Sequence, residues 1–112
     1  MIHITYRPDK KEVKIKGHAG YDEKGRDIVC AGISVLFYTL ANSLLKAPEE
    51  WFAKKPEMAD SLADKYGVSY VTCCPASGYE EYVTLIYETV ITGIELMATT
   101  YPDYIDLKIT QH

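Results

Sequence analysis

Only three cysteines, Cys30, Cys73 and Cys74, occur among the 112 residues of this chain. They cannot form an even disulfide framework, and the adjacent Cys73 and Cys74 can bond to each other only with strain. A reducing compartment is therefore expected. There is no Cys-x-x-Cys knuckle, so a zinc site would have to be gathered from scattered ligands, and no metal or other cofactor is expected. The start of the chain, Met1-Ile2-His3-Ile4-Thr5-Tyr6-Arg7, lacks the basic segment followed by an apolar one that marks a secretory signal. No stretch reaches the roughly 20 apolar residues that span a bilayer. These absences predict a soluble, cytoplasmic protein with no membrane contact. Basic residues are also the minority charge. Twelve Lys and Arg against 16 Asp and Glu give a net charge of -4, which argues against general nucleic-acid binding. No repeat or low-complexity linker divides the chain, so residues 1–112 are read as one domain, long enough to bury about two-thirds of its unfolded surface.

What is present is regular patterning. Ile2, Ile4 and Tyr6 alternate with His3, Thr5 and Arg7, and Val13 and Ile15 alternate with Lys14 and Lys16, the pattern of two half-buried strands joined by a turn at Pro8-Asp9-Lys10-Lys11. From Asp27 the period changes. Ile28, Gly32, Val35, Leu36, Thr39 and Ser43 fall at helical spacing, which predicts a helix from 28 to about 46 with Asp27 as N-cap and Pro48 beyond its far end. On another stripe lie Cys30, Ser34, Phe37 and Ala41.

Residues 49–65 keep neither period. Within them Trp51 and Phe52 either fill the core beside the first helix or line a pocket for an apolar peptide, and core is the expectation. Val68 to Cys74 reads as a strand ended by Pro75. Ser77 and Glu80 form a Ser-x-x-Glu capping box ahead of a second helix that runs to about Thr99. Beyond its first apolar stripe this helix carries Leu85, Tyr87, Ile91 and Leu96, surface that either meets a second subunit or belongs to a deep core. A closing strand is expected from Tyr104 to Ile109. The order predicts an α+β two-layer sandwich, a mainly antiparallel sheet with two long helices on one face.

The chemistry concentrates between the hairpin and the first helix, in Gly17-His-Ala-Gly-Tyr-Asp-Glu-Lys-Gly-Arg-Asp-Ile-Val-Cys-Ala-Gly-Ile-Ser34. His18 supplies a base and Cys30 a thiol on either side of one glycine-punctuated loop. Cys30 falls in the first helical turn, where unpaired N–H groups and the positive end of the helix dipole stabilise a thiolate. The same N–H groups are candidates to hold a tetrahedral oxyanion. Asp27 either caps the helix only or also orients His18, with capping favoured. Ser34 either donates a hydrogen bond or permits close packing. His3 and His112 lie outside this loop, and Cys73 and Cys74 read as strand residues.

Gly17-His18-Ala19, then Gly25-Arg26-Asp27-Ile28-Val29-Cys30-Ala31-Gly32 and Ser34, closely resembles the signature of the ribosomal-processing cysteine proteases called Prp. The ending Tyr101-Pro102-Asp103 before a strand is compatible with the rest of that family, so the resemblance covers the whole chain. It implies a bacterial endopeptidase, acting as a homodimer, that removes an N-terminal extension from a ribosomal large-subunit protein precursor. By the same matching, His18 and Cys30 fall on the catalytic pair, and Asp27 and Ser34 on positions that support the site. Ala19, Gly20, Tyr21, Gly25 and Arg26 fall on the flexible loop that carries the histidine.

Two other classes compete with the endopeptidase. One is a non-catalytic homodimer that binds a ribosomal protein or assembly intermediate through its open sheet. The other is a redox or metal-responsive protein using Cys30, Cys73 and Cys74, for which the spacing offers no support.

Overall fold

A computed structural model of the chain, which describes residues 1–17, 20–22, 27–60 and 68–110, turns each run of alternating residues into a strand. The hairpin is β1 (Ile2–Arg7) and β2 (Glu12–Lys16), paired so that Ile4 faces Ile15 and Tyr6 faces Val13. Helix α1 (Ile28–Lys46) follows, then β3 (Phe52–Ala59), β4 (Val68–Pro75), helix α2 (Glu80–Thr100) and β5 (Ile105–Ile109). The strands form one sheet in the order β3-β4-β2-β1-β5. Three pairings are antiparallel, and β5 lies parallel to β1.

Because side chains alternate across a strand, this register collects the apolar residues on one face. Ile2, Ile4, Tyr6, Val13, Ile15, Val71, Cys73 and Ile105 are all buried there, in one core with the inner faces of both helices. The fold is the expected α+β sandwich.

Residues 49–65, which keep no sequence period, contribute an element that patterning does not reveal. A short 3-10 turn at Glu49–Trp51 leads into β3, an edge strand with register shifts between Phe52 and Lys54 and between Lys54 and Glu57. Those irregularities break the alternation by which a strand is read, while Lys54, Lys55 and Pro56 blunt an edge open to further pairing. Residues 61–65 of this segment lie outside the described residues. Trp51 and Phe52 are half-buried against the core. The Trp51 ring stacks on Tyr82 and Tyr79, at the start of α2.

The buried face of α1 is Val29, Ile33, Phe37, Leu40, Ala41 and Leu44. The expected stripe is displaced, and two of its members, Ile28 and Val35, are more than half exposed. The cause is composition: α1 carries no charge before Lys46, so its periodicity does not single out one face. For the same reason α1 is long and apolar enough to cross a membrane, contrary to the sequence expectation. In this fold one side of it enters the core, and Ile28, Val35, Tyr38 and Leu45 lie exposed on the other.

In α2, Tyr87 and Ile91 join Val83, Val90 and Ile94 in the core, whereas Leu85 and Leu96 are exposed. The apolar surplus of this helix thus lies partly in the core and partly on the surface. The capping box does not form. Gly78, at φ 92, extends the turn after β4, so the N-cap falls at Tyr79, with no side-chain cap, and the Glu80 carboxylate accepts the Gly78 N–H at 2.9 Å.

Candidate active site

Asp27 organises the start of α1. Its Oδ1 accepts the N–H groups of Val29 and Cys30, each at 3.0 Å, and its Oδ2 accepts the N–H of Tyr21 at 3.1 Å. One buried carboxylate therefore caps the helix and ties down the preceding loop. Burial pushes its pKa up, but hydrogen bonds from the Cys30 N–H, the Tyr21 N–H, the Cys30 side chain and the Asp22 N–H outweigh that cost and hold it below the ordinary value. Asp27 is accordingly an anion at neutral pH.

Cys30, the third residue of α1, is half-buried and packs against the core. Among the described residues, the positive end of the helix and the Asp27 carboxylate, to which its side chain hydrogen-bonds, act on its sulfur in opposite directions. The backbone geometry also corrects an expectation. The N–H groups of Val29 and Cys30, candidates for holding an oxyanion, are both donated to Asp27. An oxyanion at this terminus has to draw them away from the cap or use other donors. Ser34, one turn further on the same side of the helix, is half-buried.

The approach to this terminus is fixed at several points. At the end of β2, Gly17 has φ 92, and a Cβ there would come within 2.6 Å of the Met1 carbonyl oxygen, so only glycine fits. Tyr21 then lays its ring edge-on against Tyr101 and Tyr104, at centroid distances of 5.6 and 5.1 Å. On the other side of Cys30, the Met97 side chain of α2 packs over Gly32, where an added Cβ would lie 2.6 Å from its terminal methyl. His18, Ala19, Gly25 and Arg26 lie outside the described residues, as does the pairing of His18 with Cys30.

The other two thiols occupy different settings. Cys73 is buried in β4, 3.6 Å from the Tyr87 hydroxyl, and burial pushes its thiol pKa up. Cys74 is exposed at the far end of the same strand. Neither is at a helix N-terminus, the setting that among these three thiols Cys30 alone has and that favours a thiolate.

Sequence reasoning placed Cys30 and its cap but missed the seat that Tyr101 and Tyr104 make for Tyr21. No local period links residues so far apart.

The family model of the cysteine protease Prp matches residues 1–106. Among solved structures, the chain is similar to the essential ribosomal processing protease Prp from Staphylococcus aureus in complex with a covalently linked product peptide. That likeness has 24% identity and a TM-score of 0.74 over 97% of each chain. The same protein with a substrate peptide gives 22% identity and a TM-score of 0.69, again over 97% of each chain. A Streptococcus mutans protein gives 26% identity and a TM-score of 0.68, over 99% of this chain and 93% of the other. No curated protein sequence matches the chain. With the family model spanning nearly the whole sequence, and with the Asp27-capped thiol in place, the chain belongs to the Prp family of cysteine proteases.

Proposed function

We propose that this protease removes the N-terminal extension of a bacterial ribosomal large-subunit protein, with Cys30 as nucleophile and His18 as general acid and base. The observation that carries the assignment of Cys30 is its place in the first turn of α1, hydrogen-bonded to the buried Asp27. Support for the substrate class comes from the Staphylococcus aureus protein of the same fold, a ribosomal processing protease.

In this reading His18 takes the thiol proton and the Cys30 thiolate attacks the scissile carbonyl, forming an S–C bond and an oxyanion. The oxyanion collapses as the C–N bond breaks, and His18 returns its proton to the leaving amine. Water then attacks the thioester while His18 accepts its proton; the C–S bond breaks as the new oxyanion collapses, releasing the acid, and His18 returns the proton to the Cys30 sulfur. Asp27 supports the site by holding the start of α1 and the loop together, and Ser34 lines the same side of the helix. The enzyme acts in the cytoplasm as a homodimer, for which the exposed Val35 and Leu45 of α1 and Leu85 and Leu96 of α2 offer apolar surface.

The test is incubation of wild-type and Cys30→Ala protein with the ribosomal-protein precursor, followed by intact mass. Loss of the extension with wild type alone is expected. Cleavage by Cys30→Ala, or a covalent adduct confined to Cys73 or Cys74, would overturn the assignment.

A further inference from the structure

We infer that Tyr21 is a positioning residue for the reaction at Cys30, held in an aromatic seat formed by Tyr101 and Tyr104. The inference rests on the proposed protease chemistry and adds to it a residue whose action is indirect.

Tyr21 is bound at both ends. Its backbone N–H donates to Asp27 Oδ2 at 3.1 Å, and its ring meets Tyr101 and Tyr104 at interplanar angles of 82° and 74°. Both angles are in the edge-to-face range that aromatic quadrupoles favour. The seat itself is anchored. Tyr101 N–H donates to the Met97 carbonyl at 2.8 Å, and Tyr104 N–H donates to the Tyr101 carbonyl at 3.0 Å. The Tyr104 carbonyl in turn accepts the Ile2 N–H at 2.9 Å, which joins the seat to the first strand. Both tyrosines also pack against the core.

Asp27 is the node between the two sides of the site, since the carboxylate that receives Tyr21 also receives the Cys30 N–H. Tyr21 follows His18 by three positions in the chain. Tyr21 is thus held by both its ring and its amide, and catalysis by an imidazole and a thiol depends steeply on their relative placement. Tyr21 is 42% exposed, more than a core residue would be. Its contribution to global stability is correspondingly small.

The experiment has two arms on the full chain. In the first, Tyr21→Ala lowers kcat on the precursor about ten- to a hundredfold, with KM changed less, because misplacement of reacting groups has that scale. Tyr21→Phe, which keeps the ring and the amide, restores kcat to within about threefold, and Tyr104→Ala lowers it in the same direction as Tyr21→Ala without adding to it. In the second arm, amide exchange of residues 20–22 is followed in Cys30→Ala protein, which needs no activity. Exchange is slow there and accelerates when Tyr104→Ala is added. Wild-type kcat in Tyr21→Ala, a loss in Tyr21→Phe as large as in Tyr21→Ala, or exchange indifferent to Tyr104→Ala would each overturn the inference. An inactive wild type with the exchange result as expected would instead overturn the protease reading, and with it the catalytic meaning of the seat.

Discussion

The Cys30 N–H lies 3.0 Å from Oδ1 of Asp27, and the carboxylate that accepts it also accepts the Tyr21 N–H. A helix cap and a loop tether are therefore one group, and changes to it act on both.

Asp27→Ala should destabilise the protein by about 1–2 kcal/mol, the usual range for a lost N-cap. Asp27→Asn should cost less, since asparagine caps nearly as well. Equilibrium urea unfolding of the three proteins at neutral pH measures both.

The same carboxyl makes part of the stability pH-dependent. Its pKa is lowered in the folded state, so the stabilisation is fully present above the unfolded value of about 3.9 and is lost as pH falls through the lower folded value. Urea unfolding from pH 6 downward should show wild type losing its advantage over Asp27→Asn below about pH 4. An advantage that persisted through that range would contradict the lowered pKa.

The three thiols should separate by accessibility. Under native conditions iodoacetamide should modify the exposed Cys74 and the half-buried Cys30, and leave the buried Cys73 unmodified until the protein unfolds. Peptide mass mapping over a time course reads the order directly.

Tyr87 joins α2 to the hairpin. Its hydroxyl donates to the Lys11 carbonyl at 2.6 Å and lies beside the Cys73 sulfur. Tyr87→Phe keeps the stacking on Tyr6 but leaves that carbonyl without its donor, and should cost about 1–3 kcal/mol in urea unfolding. Proteolysis by the variant should be little changed, because the contact is with the β1–β2 turn, at the end of β2 away from Gly17.

Gly17→Ala should be more harmful than its size suggests. The left-handed φ and the Met1 carbonyl 2.6 Å from the added Cβ both oppose it. A loss of more than about 1 kcal/mol is expected. Because the strain falls one residue before His18, the variant should also lose activity beyond its loss of fold, measured at a temperature where it remains folded.

How far the sequence could be read depended on the range of the interactions. The hairpin, both helices, the strand after Gly67 and the Asp27 cap were legible because each rests on neighbours in the chain: alternation for strands, helical spacing, and a side chain within reach of N–H groups two and three positions on. Cys30 was legible for the same reason, as a thiol at a helix N-terminus. Strand β3 was not, because irregular pairing with β4 carries it and no period does. The buried face of α1 was decided by the sheet and α2, since an almost uncharged helix offers several faces. The N-cap of α2 moved to Tyr79 because the turn at Gly78 took precedence over a favourable local motif. The seat of Tyr21 on Tyr101 and Tyr104, and the claim of Asp27 on two N–H groups of the first turn, needed the packed chain, where distant residues meet. Chain-local hydrogen bonding and periodicity determined the elements and the place of Cys30 in the first turn of α1; burial and long-range contact decided which faces pack and what surrounds the sulfur.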